Sequence, residues 1–229
     1  MNARLLLPGL LLVLSACATV SEPTIQTGAN AEVIQGNLHR VENSHAAIAY
    51  VDPDVDWSRY TRVMVDPLGV DNVEIIAPNT RGSVSTRSRG ADWELSDKDK
   101  QSLEDAYASA MRVQLEEKGD YPIVTKPGDD VLRITAVLTA LAPNAAADDS
   151  RSRSLGRGRV YSEGAGTFFI SVSFSDSETG EILALIKDQK EGSTTWGVNN
   201  RVTNLSDAKF VFNSWARAIR ARLDIIHGY

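Results

Sequence analysis

The chain contains a single cysteine, Cys17, and its position constrains the fold more than any other feature of the sequence. It closely follows a short apolar run, 5–14, which Arg4 precedes and which only Pro8 and Gly9 interrupt. A membrane-spanning helix needs about 20 apolar residues, so this run is too short to cross a bilayer and matches the apolar region of a signal peptide. With no second cysteine available for a disulfide, the exported chain must be stabilised by the packing of its core.

The residues at the end of the apolar run, Leu14-Ser15-Ala16-Cys17, resemble the bacterial lipobox. A lipobox cysteine is acylated and becomes the first residue of the mature chain. The alternatives are an ordinary signal peptide with a chance cysteine, or a buried thiol. Ala18, and not aspartate, follows the cysteine, which by the sorting rule of enterobacterial lipoproteins favours the outer membrane. We therefore expect a signal peptide at 1–16, lipidation of Cys17 and a domain that faces the periplasm.

The charge balance limits the kinds of partner. Cleavage would remove Arg4 and change the formal charge from −6 to −7, with 23 basic and 30 acidic side chains. An acidic chain is poorly suited to bind nucleic acid or to adhere electrostatically to anionic lipid. Attachment to the membrane is therefore expected through the acyl chains of Cys17, and no nucleic-acid partner is expected.

The mature chain is long enough for one domain with a core and short for two. Residues 17–45 are rich in Ser, Thr, Asn, Gln and Gly, which is typical of a flexible tether. The sequence therefore predicts a single domain over 46–229. Two glycine- and arginine-containing stretches, near 77–94 and 143–166, are expected to be irregular insertions.

Alternating apolar residues predict strands over 60–66, 131–141, 168–174 and 182–187. Ser96 and Ser206 are typical helix caps, and the residues after each repeat apolar side chains at helical spacing. The order of elements predicts an α+β fold, with an antiparallel or mixed sheet of about five strands covered on one face by two amphipathic helices.

The sequence contains little that is typical of catalysis. The three histidines show no metal-ligand spacing, no cysteine of the mature chain remains as a nucleophile, and Gly-x-Ser-x-Gly is absent. The acidic pairs Asp52 and Asp54, and Asp129 and Asp130, lie in turns, where aspartate is expected for its backbone hydrogen bonds. We expect no catalytic residues, no metal site and no cofactor.

One basic cluster stands out on this acidic chain: Arg151, Arg153, Arg157 and Arg159, followed by Tyr161. It is either a solvated connection or a site at which guanidinium groups bind phosphate or carboxylate, as on lipopolysaccharide or peptidoglycan. The arginines of the other insertion could join it if the two insertions are neighbours; they are Arg81, Arg87 and Arg89.

Five short segments occur in a consistent order: Tyr-Thr-Arg-Val-Met-Val-Asp-Pro at 60–67, Leu95-Ser96 with Asp99, Val131-Leu132-Arg133, 176–181, and Trp215-Ala216. Together they resemble a bacterial lipoprotein family catalogued as domain of unknown function 3313, over roughly residues 46–225. The resemblance implies a lipoprotein without an assigned enzymatic activity, so no functional residues carry over. Both arginine-bearing insertions look longer than the family's usual connections.

Two functions are consistent with these observations. The leading one is a non-catalytic outer-membrane lipoprotein that serves as a periplasmic accessory, assembly or binding module for an envelope protein, peptidoglycan or lipopolysaccharide. The alternative is an envelope hydrolase that cleaves peptidoglycan or another glycan with paired carboxylates. Two carboxylates close together in a cleft, one with a raised pKa, would favour the hydrolase.

Overall fold

The structure, a computed structural model, describes residues 22–76, 94–144, 161–163, 165–193, 196–198 and 201–229. Within these ranges the two α-helices are α1 (Asp97–Met111) and α2 (Arg201–His227). The strands are β1 (Thr24–Ile25), β2 (Val33–Ile34), β3 (Leu38–Glu42), β4 (Ile48–Val51), β5 (Arg62–Val65), β6 (Glu74–Ile75), β7 (Val131–Pro143), β8 (Tyr161–Glu163), β9 (Gly166–Asp176), β10 (Ile182–Glu191) and β11 (Trp196–Val198).

Nine of the described strands form one mixed sheet in the order β1-β3-β4-β10-β9-β7-β5, with β2 beside β3 and β6 beside β7. The pairs of β5 and β6 with β7 are parallel, and the other pairs of this sheet are antiparallel. Strands β8 and β11 form a separate antiparallel pair.

The central strand β9 has one dry face and one open face. Phe168, Ile170, Val172 and Phe174 are buried in the core, whereas the alternating serines Ser171 and Ser173 are only half-buried. The same alternation continues on β7, where Ile134 and Leu138 are buried and Val137 and Thr139 are exposed. The period of two therefore separates a face packed against the helices from a face open to solvent.

The two helices pack against each other and run in the same direction. Tyr107 contacts Phe212, with ring centroids 5.9 Å apart. Further along the chain, the hydroxyl of Tyr121 lies 3.1 Å from the carboxylate of Asp224, which is also further along α2. Later residues of one segment thus contact later residues of the other, as in a parallel pair. A capping box at Ser96 begins α1, which continues as a π-helical stretch, Arg112–Glu117. Neither described helix is long and apolar enough to span a bilayer.

The α+β class, the mixed sheet and the two helices agree with the sequence analysis, but the sheet has more strands than the expected five. Three of the additional strands, β1 to β3, lie at 24–42, inside the stretch interpreted as a tether. Any tether can therefore extend only from Cys17 to about residue 23. These strands are two to five residues long, too short to produce a period in the sequence.

The start of α2 also differs from the expectation. The helix begins at Arg201, so Ser206 and Asp207 lie inside it and do not cap it. Asp207 instead accepts a hydrogen bond from the backbone amide of Ala165, 2.7 Å away. This contact joins α2 to the beginning of β9.

Candidate functional site

The points at which the two arginine-bearing insertions attach lie at one end of the sheet, and we call it the loop end. Strands β6, β7 and β10 finish there, β9 begins there, and α2 is joined to it through Asp207. Because α1 runs in the same direction as α2, both helices begin at this end. The positive ends of two helix dipoles therefore lie on the same side of the molecule.

Gly166 lets the backbones at the loop end approach closely. Its φ of +130° suits glycine, and a Cβ there would lie 2.2 Å from the carbonyl oxygen of Ala142. The carbonyl of Gly166 accepts a hydrogen bond of 2.9 Å from the amide of Gly192, at the end of β10. A Cβ on Gly192 would in turn lie 2.9 Å from Asp207 Oδ2. Two glycines and one buried carboxylate thus form the floor of the loop end.

Both arginine-bearing insertions leave from neighbouring points of the loop end. The amide of Ile76, the last described residue before the first insertion, donates to the carbonyl of Leu141 at 2.8 Å. Asn144, three residues further along the same chain, is the last described residue before the second insertion and donates to Ala165 at 3.2 Å. The two attachment points are therefore adjacent. Adjacent insertions are the condition under which the arginines of the first insertion could join the basic cluster of the second.

The predicted site residues themselves lie outside the described residues. This holds for Cys17 and for the two sets of arginines: Arg151, Arg153, Arg157 and Arg159, and Arg81, Arg87 and Arg89. Lipidation and anion binding by these residues therefore stay predictions. The described part of the site consists of the floor of the loop end, the starts of α1 and α2, and the points to which the insertions attach.

The opposite end of the sheet is held by a network around Asp176, whose side chain is 6% exposed. One carboxylate oxygen accepts hydrogen bonds from Arg59, at 2.8 Å, and from the hydroxyl of Tyr60, at 3.0 Å. The other accepts from the amides of Glu178 and Thr179, at 3.0 and 2.9 Å. Burial would raise the pKa of Asp176, but the hydrogen bonds from Thr179, Tyr60 and Glu178 outweigh it and lower the pKa. Burial, followed by the bond to Asp176, raises the pKa of Tyr60 to about 12.

A second network joins β5 to β7. Asp66 accepts a 2.8 Å hydrogen bond from Arg133 Nε and another from the hydroxyl of Thr135. Burial opposes ionisation of Asp66, yet the bonds to Arg133 and Thr135 leave its pKa lowered. This carboxylate therefore fixes the register of a parallel pair.

The acidic pairs have structural partners. Arg62 and Thr61 hydrogen-bond to Asp130, and the bond from Arg62 is the main cause that lowers the Asp130 pKa to about 2. Asp52 and Asp54 both accept from the side-chain amide of Asn37, at 2.9 Å each. Wherever a carboxyl pKa shift is resolved in the described ranges, it is downward.

Two of the three histidines, His39 and His227, also contact backbone groups. A ring nitrogen of His39 lies 2.8 Å from the carbonyl oxygen of Gln26, and His227 Nε2 lies 3.1 Å from the carbonyl oxygen of Tyr60. In the part of the chain that the structure describes, no three His, Cys, Asp or Glu residues are grouped so that they could hold a metal ion.

The family model described as a protein of unknown function (DUF3313) matches residues 36–219 of this chain. The chain belongs to the DUF3313 family. No curated protein matches it. Two of the solved structures that resemble it are a PelC dodecamer from Paraburkholderia phytofirmans and a protein from Xanthomonas campestris. The first has 11% identity, covers 69% of this chain and 88% of PelC, and gives a TM-score of 0.34. The second has 13% identity, covers 72% and 84%, and gives 0.41.

The structure explains the segments by which the chain resembles the DUF3313 family. Tyr60, in the first segment, bonds to Asp176 in the fourth, and Asp66 bonds to Arg133 in the third. Trp215, in the last, donates from Nε1 to Asp188 at 2.7 Å. The polar residues of these segments therefore serve mainly to hold strands and helices together. Sequence reasoning identified the segments but not these partners, because their spacing along the chain carries no sign of which residues meet.

Proposed function

We propose that this DUF3313 protein is a non-catalytic lipoprotein of the bacterial outer membrane that acts as a periplasmic binding module. Cys17 anchors it, and the arginines of the two insertions bind phosphate or carboxylate groups of an envelope component such as lipopolysaccharide or peptidoglycan. The network around Asp176 and the pair of Asp66 with Arg133 provide the rigid scaffold.

The observation that carries this proposal is the adjacency of the two attachment points at the loop end. Seven arginines belong to the two insertions, and both insertions leave the sheet where both helices begin. Helix starts and guanidinium groups both favour anions, so their effects add. The floor made by Gly166, Gly192 and Asp207 holds the two attachment points at a fixed position relative to each other.

The anchor is tested by replacing Cys17 with serine. We expect Cys17→Ser to abolish incorporation of labelled palmitate and to leave an unprocessed precursor, because the thiol that accepts the diacylglycerol is missing. Ser21→Ala, four residues further on, is the matched control and should be labelled normally. Undiminished labelling of the Cys17→Ser chain would show that the lipid is not attached at Cys17.

The basic insertion is tested by replacing Arg151, Arg153, Arg157 and Arg159 with serine. We expect weaker retention on purified lipopolysaccharide or peptidoglycan at low salt and a smaller difference at moderate salt, because exposed charges are screened within about 10 Å at 0.1 M salt. A control variant loses the same charge at four exposed cations that lie away from the helix starts: Arg112, Lys118, Lys126 and Lys187. If the parent and both variants are retained equally, the insertion is only a solvated connection.

A further inference from the structure

The outer face of α2 combines exposed apolar side chains with exposed cations. Phe210 and Ile225 are 61% and 66% exposed, four turns apart on the same side of the helix. The small residues Ala218 and Ala221 lie between them and are also exposed. Three exposed cations accompany this stripe: Lys209, Arg217 and Arg222. We call these seven residues the α2 outer face.

This face is basic on an acidic chain. None of its three cations forms an ion pair within the part of the chain that the structure describes. The carboxylates between residues 204 and 227 are directed elsewhere: Asp207 is buried against Ala165, and Asp224 binds Tyr121 and Arg220. The negative net charge of the chain opposes binding to anionic lipid, but the local positive charge of the α2 outer face favours such binding.

The register of the sheet places this face close to the beginning of the described chain. Thr24 pairs with Glu42, and continuing the pairing of Arg40 with Tyr50 puts Glu42 beside Ile48. Ile48 pairs with Lys187, the neighbour of Asp188, which binds Trp215 on α2. Thr24 and the middle of α2 are thus at the same level along the strands.

The separation between them follows from standard spacings. β1 and β10 are three strand spacings apart, about 14 Å. A helix about 10 to 12 Å in diameter, packed on the sheet, places the α2 outer face roughly 15 Å above the sheet. The direct distance from Thr24 to that face is therefore about 20 Å. The chain makes seven residue-to-residue steps from Cys17 to Thr24 and spans at most about 25 Å. A membrane that holds Cys17 is within reach of the face.

We propose that the α2 outer face docks on the anionic phospholipid surface in which Cys17 is anchored. The inference rests on the proposed lipid anchor and adds the orientation of the domain. Lys209, Arg217 and Arg222 contact the lipid phosphates, while Phe210 and Ile225 enter the headgroup layer. The short connection supplies a high local concentration, so a weak contact is sufficient.

The test uses the lipidated full chain in vesicles of phosphatidylethanolamine with or without phosphatidylglycerol. Acylation blocks Cys17, the only native cysteine, so a cysteine introduced by Ala218→Cys can be labelled specifically with a fluorophore. We expect a quencher on the lipid headgroups to quench this label strongly when phosphatidylglycerol is present. The same label introduced by Thr139→Cys, on the open face of the sheet, should be quenched little.

Charge variants separate docking from anchoring. Replacing Lys209, Arg217 and Arg222 with glutamine should weaken the docking equilibrium by about 100-fold, since each cation near an anionic surface contributes about fivefold. Replacing the exposed lysines Lys98, Lys126 and Lys187 with glutamine removes the same charge and should leave docking unchanged.

Three results would overturn the inference. If mass spectrometry shows acylated Cys17 but the Ala218→Cys label is quenched no more than the Thr139→Cys label, docking is wrong and the anchor stands. If the chain is not acylated, the anchor and the docking inference both fail. The third result is shielding of the label in the absence of vesicles, which increases with protein concentration and also affects a label introduced by Ser109→Cys on α1. The partner is then a second copy that presents α1, whose side chains include four acidic and two basic groups.

Discussion

At the scale of single residues, Asp176 contributes more to the fold than its place in a hairpin turn suggests. Turn chemistry accounts for its bonds to the amides of Glu178 and Thr179. The bonds from Arg59 and Tyr60 come from more than 110 residues away and connect this turn to the beginning of β5. One carboxylate therefore closes both a local turn and a long-range contact.

Replacing Asp176 with asparagine should lower the free energy of unfolding by about 2 to 3 kcal/mol at neutral pH, because charge-assisted bonds to Arg59 and Tyr60 are lost. The lowered pKa of Asp176 sets the pH dependence. A carboxyl with a lowered folded pKa stabilises the fold above its unfolded value of about 3.9 and loses this contribution as the pH falls below it.

Urea denaturation measures this difference between the parent and Asp176→Asn, which should narrow as the pH falls below about 4. Asp129→Asn changes an exposed carboxylate nearby and should follow the parent at every pH. A difference that stays constant down to about pH 2 would mean that folding does not lower the pKa of Asp176.

At the scale of elements, α2 shows two different faces. Its inner face contributes Val211, Phe212, Trp215 and Leu223 to the core, while the α2 outer face exposes Phe210 and Ile225. The 3.6-residue period predicted the inner face correctly, and Trp215 is buried as expected, at 8% exposure. The outer face follows no period, so sequence pattern alone did not single it out.

Replacing Trp215 with alanine should destabilise the fold by about 3 to 5 kcal/mol, because it leaves a cavity next to Phe212 and removes the bond to Asp188. Phe210→Ala, in the same helix, should change the free energy of unfolding in solution by less than about 0.5 kcal/mol, since Phe210 is exposed. Chemical denaturation of the two variants provides the comparison. Equal effects would mean that α2 packs through a different face.

Long, regular elements were predictable and short ones were not. The helix start at Ser96, the strand of alternating residues 168–174 and the hairpin after Asp176 all follow from local rules of capping, period and turn residues. Strands of two residues, such as β1 and β6, exist only because a longer strand offers them hydrogen-bond partners. Such elements depend on tertiary structure and leave no local trace in the sequence.

At the scale of the whole molecule, the order of strands was beyond sequence reasoning. No residue pattern near Arg62–Val65 indicates that this strand pairs in parallel with a strand almost 70 residues later. No pattern near Ile48–Val51 indicates that its partner is β10. The candidate site has the same origin, since two insertions distant in sequence leave from one end of the sheet. Composition and spacing identified the arginines, and only the topology brings their attachment points together.

The strand order also determines how the chain can fold. β7, β9 and β10 form a continuous antiparallel meander, so these central strands pair through comparatively local contacts and can form early. Strands β1 to β4 are synthesised first, yet Ile48 finds its partner Lys187 only after 139 further residues. In a chain that emerges amino-terminus first, the unpaired edge of β4 is exposed until the carboxyl-terminal third arrives, and this interval is when the protein most needs protection from aggregation.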